Sequence, residues 1–207
     1  MSRDPHKLPD HPFIKTAVKS LESMAKQNPE VAEIRLRAAS ILYTTGFSED
    51  PEFLASTMLY NGFKDEDLSS VFNASVVDHT KNIRKGFRAG PQNFSVLDDK
   101  FKAVIFAQMI ASTEYVVKEY ETIKEYEEFN PLIKEQMEDL AAQIYLISNR
   151  LPELKSLNCP KLTARCDEVV LQIKSIQARE NGDLLIGLPR LEGQTPESFK
   201  KIGRKPF

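Results

Sequence analysis

The sequence predicts an all-α protein: a compact multi-helix bundle with a long C-terminal helical hairpin and an irregular tail. Three features point there. Apolar residues recur at helical spacing over most of the chain, Asn-Pro steps and glycines punctuate those stretches, and the periodicity becomes long and regular from Val96 onward.

The first helix is expected over residues 12–27, where Phe13, Ile14, Ala17, Val18, Leu21 and Met24 share a face until Asn28-Pro29 stops it. Asn28 is placed to cap a second helix with Pro29 at its first position, and Ile34, Leu36, Ala38, Ile41 and Leu42 carry that helix to Gly46. Ser48, Glu49, Asp50 and Pro51 signal a third start, continued by Phe53, Leu54, Met58 and Leu59 to Asn61-Gly62. Two brief helices follow over 65–72 and 74–86, then a loop at 89–93. The longest helix runs from about residue 96 to 127 through Phe101, Val104, Ile105, Gln108, Met109, Ala111, Tyr115, Val116 and Tyr120. Asn130-Pro131 opens its partner through Met137, Ala141 and Ile147, and Pro160 opens a last helix through Leu162, Val169, Ile173 and Ile176. The expected organisation is a flexible N-terminus over 1–11, one helical domain over 12–181 and a tail over 182–207.

Composition narrows the function. Hydrophobic residues at 41% and charged residues at 28% fit a globular chain. A formal net charge of -2 offers no global field for nucleic acid or an anionic membrane, so neither is an expected partner. The apolar runs fall short of a bilayer span and the first ten residues are polar and proline-broken, so a cytoplasmic protein is expected, with no signal peptide. Cys159 and Cys166 match no zinc pattern and are too far apart along a helix for a relaxed disulfide, which favours reduced structural thiols.

Local clusters are few. Asp78 and His79 are a candidate acid-base or metal pair, or simply part of a solvated helix face; His6, Asp10 and His11 stand near a terminus. Lys81, Arg84, Lys85 and Arg88 share a helix face, either as a phosphate or acidic-partner contact or as solubilising charge. The acidic run Glu119, Glu121, Glu125, Glu127 and Glu128 reads as a solvated face or a partner surface. Glycine-rich phosphate loops, GxSxG elbows and HExxH motifs are all missing.

Residues 34–112 resemble the HD-domain hydrolases of the alarmone (p)ppGpp, the RelA/SpoT-like family. The stretch 34–42 stands where that family reads HPxxVAxIL, the spacer YTTGFSEDPEFLASTML follows, and Tyr60-Asn61 takes the place of His-Asp. Val71-Phe72-Asn73 stands where the family closes with FG, and 102–112 is similar to the helix KLxKLADxLxN, with Gln108 on its last aspartate. The family binds a divalent cation through two histidines and two aspartates, which activates water. Those positions here are Ile34, Tyr60, Asn61 and Gln108, so the resemblance implies a degenerate domain with neither metal nor cofactor.

The leading expectation is therefore an HD-like pseudoenzyme acting as a regulatory binding protein, for a protein partner or a nucleotide. Its remnant pocket would be lined by Ile34, Arg37, Tyr60, Asn61, Lys64 and Gln108, with Lys81, Arg84 and Lys85 meeting phosphate or the partner. Two alternatives stand beside it. One is an active phosphohydrolase drawing ligands from Asp65, Asp67, Asp78 and His79; the other is a helical scaffold in an oligomer or larger assembly.

Overall fold

The computed structural model describes residues 7–60, 62–88, 97–124, 138–139, 141–142, 145, 147 and 149–179. Among them the chain is all-α, with eight helices and no strand. These are α1 (Pro12–Ala25), α2 (Pro29–Thr44), α3 (Pro51–Leu59), α4 (Asp65–Ser69), α5 (Ala74–Arg88), α6 (Asp99–Lys124), α7 (Leu151–Ser156) and α8 (Pro160–Arg179).

Proline at the first turn opens five of them, where its missing N–H costs nothing and its fixed φ suits the helix. The caps differ from one start to the next. His11 caps α1 by accepting from the Phe13 amide, and Asp50 caps α3 by accepting from the amides of Glu52 and Phe53. Asn28 occupies the cap position of α2, yet its side chain makes no capping bond, because its backbone (φ −139°, ψ 73°) is not the extended one a cap requires. At the other end of α2, Gly46 adopts φ +73°, the left-handed turn the glycine stop anticipated.

Most boundaries lie within a few residues of expectation. Helix α1 stops at Ala25 rather than Gln27, α3 at Leu59, and α5 runs on to Arg88. The short α7 was not anticipated. The expected helix at 130–147 lies mostly outside the described residues, although 138, 139, 141, 142, 145 and 147 are helical. The 182–207 tail and the loop at 89–93 lie outside them altogether.

One core joins α1 to α6 with α7 and the first half of α8, centred on Ile34, Leu42, Phe53, Leu54, Met58, Ile83, Phe106 and Ile110, all buried. Each such side chain contributes roughly 1.5–3 kcal/mol by leaving water. Helix α2 packs on α1, α3 and α6, while α8 packs on α6 and α7. A smaller cluster of Val116, Tyr120, Ile173 and Ile176 holds the far ends of α6 and α8 together. The result is a groove between α2 and α8 with α6 beneath it. No helix among the described residues is long and apolar enough to cross a membrane.

Candidate functional site

From Arg37 on α2, Ser40, Ile41, Thr44 and the C-cap residue Thr45 fall three, four, seven and eight residues along and so form one stripe. Lys161, Ala164, Arg165 and Glu168 make the matching stripe on the first turns of α8. Between them lies a cleft of about 660 Å³, with Glu114 of α6 in its wall and Lys7 contributed by the N-terminal segment. That segment is held by the Ser40 hydroxyl, which donates to the Lys7 carbonyl at 3.1 Å, and by Leu8 packing on the core. A second cavity of about 260 Å³ shares Lys7, Thr44 and Lys161 with the cleft and adds Tyr43, Gly46 and Glu49.

An alternating ion chain crosses the cleft. Glu33 pairs with Arg37 at 2.7 Å, Arg37 with Glu114 at 3.2 Å, Glu114 with Arg165 at 2.5 Å, and Arg165 with Glu168 at 2.9 Å. The Glu114 side chain is only 8% exposed, so it is the one carboxylate here that must be compensated by protein cations. Arg37 keeps its Nε buried without an acceptor among the described residues. Lys7 and Lys161 form no ion pair among them and are exposed.

The other candidate residues cluster elsewhere. Tyr60, at the end of α3, stacks flat on Phe87 with ring centroids 4.7 Å apart, and the Arg35 guanidinium lies 4.9 Å from its ring centroid. Burial pushes the Tyr60 phenol above its ordinary value, an effect its bond to Arg35 partly offsets. The same burial lowers Arg35. Arg84 reaches back from α5 to the carbonyls of Tyr60 and Phe63 and to the Asp65 carboxylate. It closes the turn after α3, and all three of its nitrogens are engaged there. Lys81 approaches the same carboxylate at 4.0 Å. Gly62 sits inside this turn at φ +118°, where a Cβ would stand 2.7 Å from the Met24 methyl.

Of the residues assigned to the remnant pocket, Ile34 and Gln108 are core residues, 1% and 7% exposed, and the Gln108 Oε1 lacks a hydrogen-bond partner among the described residues. Lys64 and Lys85 are exposed on α4's start and on α5. Asn61 lies outside the described residues. Arg37 alone lines the cleft. The structure thus brings Tyr60 and Arg84 together, and Arg84 and Lys81 at Asp65, but gathers no single pocket from the set.

The alternative ligand set is dispersed as well. Asp65 is bound to Arg84, Asp67 and Asp78 are exposed, and His79 lies edge-on to Phe53 with centroids 5.7 Å apart. Among the described residues no three His, Cys, Asp or Glu side chains converge as a metal site would require.

Sequence inspection missed Lys7, Glu114, Lys161, Arg165 and Glu168. One signal was available: Glu114 interrupts an apolar helix face, and a buried carboxylate demands cations from neighbouring elements. Comparison of the chain with protein-family models, curated proteins and solved structures finds no match.

Proposed function

We propose that this chain is a helical binding domain with a regulatory role, working by ligand occupancy rather than by metal-dependent hydrolysis. The packing at the positions that the HD resemblance would make metal ligands carries this reading. Ile34 is aliphatic core, Tyr60 is a buried phenol engaged by Arg35 and Phe87, and Gln108 is a buried amide. Such a set offers neither imidazole nor carboxylate, the groups that hold a divalent cation and lower the pKa of its water.

Among the described residues the α2–α8 cleft is a concave surface open to recognition. Its volume falls within the range of small-ligand sites, and charged and hydroxyl-bearing side chains line it. A small ligand there would bridge α2 and the start of α8, which gives a partner a new surface to read. This is the regulatory element of the proposal.

The test is incubation of the full chain with manganese and (p)ppGpp, read as nucleotide turnover, beside a thermal-shift screen of small ligands. The expected result is no turnover and a ligand-induced rise in Tm. Turnover that requires the metal would overturn the reading.

A further inference from the structure

Two lysines beside the cleft stand outside its ion chain. Arg37 and Arg165 are each held between two carboxylates, whereas Lys7 and Lys161 have no ion partner among the described residues. Both lysines line both cavities, so they stand where the two join. There α8 begins: Lys161 is its second residue, its first turn carries no acidic side chain, and the helix start carries the positive end of the helix dipole. Arg37 in the same wall has both terminal nitrogens on carboxylates and its Nε buried. Four cationic side chains line the two cavities beside the carboxylates of Glu114, Glu168 and Glu49, and Glu33, outside the lining, pairs with Arg37.

We propose that this junction binds a small phosphate-bearing molecule, its phosphate on Lys7, Lys161 and the start of α8. The inference rests on the binding reading above and names its ligand class. A phosphate fits better than a lone carboxylate, because two ammonium groups and a helix N-terminus match a dianion with three acceptor oxygens. The rest of the ligand is polar. It lies along Ser40, Thr44 and Thr45, whose hydroxyls donate to backbone carbonyls and keep lone pairs for a ligand's own hydroxyl groups. Arg37 and Arg165 are held by Glu114 rather than by the ligand.

Isothermal titration of the full chain with inorganic pyrophosphate and with glycerol phosphate tests this. Binding is expected with Kd below about 1 mM, weakened at least about tenfold by Lys161→Glu and by Lys7→Glu. Both lysines are exposed, and a glutamate in the first turn of α8 favours the helix, so Tm of Lys161→Glu should stay level or rise. Lys85→Glu on α5 should bind as wild type. The proposal is overturned if neither probe binds, if the two cleft variants bind as wild type, or if Lys85→Glu is the one that weakens binding. A chain that binds other ligands but neither phosphate probe would leave the binding reading intact and remove this inference, whereas turnover of (p)ppGpp would remove the binding reading alone.

Discussion

Around Arg84 and Arg35 the guanidinium groups are bound to parts of the protein that cannot be exchanged, whereas around Arg37 and Arg165 they are bound to carboxylates beside an open cleft. Arg84 bonds two backbone carbonyls and Asp65, and Arg35 lies against the Tyr60 ring. A ligand competing there would strand buried carbonyls and open an aromatic stack. At the cleft, by contrast, the arginines are paired side chain to side chain, with unpaired lysines nearby. The same residue type thus serves as fixed structure in one place and as an electrostatic frame for recognition in the other. Counting basic residues on a helix face cannot tell these apart; the partner atoms can.

The largest expected effect breaks the first half of that comparison. Arg84→Ala leaves the Tyr60 and Phe63 carbonyls without their donor and should cost roughly 3 kcal/mol in urea unfolding. A loss under about 0.5 kcal/mol would make Arg84 a surface charge after all. Glu114→Gln tests the second half. It removes the charge between two arginines that each keep a second carboxylate, Glu33 and Glu168, so the loss should be smaller, about 2 kcal/mol, and pyrophosphate affinity should rise as the negative charge between them is lost.

A third prediction checks that α8 is sealed behind the cleft. Cys166 follows Arg165 but is fully buried, and burial pushes its thiol from 9.0 up to about 12. Its folded pKa is raised, so its stability contribution is complete below pH 9.0 and is lost as pH rises toward 12. The slope within that window is about 1.4 kcal/mol per pH unit, and Cys166→Ala should flatten it. The smallest effect is expected from Tyr60→Phe, which keeps the stack on Phe87 and removes the bond to Arg35, costing about 1 kcal/mol by denaturant unfolding.

Helix starts were legible because they are local: Pro12, Pro29, Pro51 and Pro160 each act within one turn. Asn28 marks the limit of that logic, since residue type sets a capping preference but backbone geometry decides whether the bond forms. The short α7 escaped because six residues carry too little periodicity to register. The candidate site was less legible for a different reason. Arg37 and Glu114 stand 77 residues apart, so their pairing is a tertiary fact with no local trace. Arg84 shares a helix face with Lys81 and Lys85, as its spacing indicated, yet its reach to the turn after α3 depends on where α5 packs.

The most direct test of the division between closed interior and open cleft is amide chemical-shift mapping of the labelled full chain titrated with inorganic pyrophosphate. Shifts are expected to concentrate at Thr44, Thr45, Lys161 and Arg165, with Ile34, Tyr60 and Gln108 unmoved. Shifts centred on Tyr60, Gln108 or Lys85 with a silent cleft would contradict it.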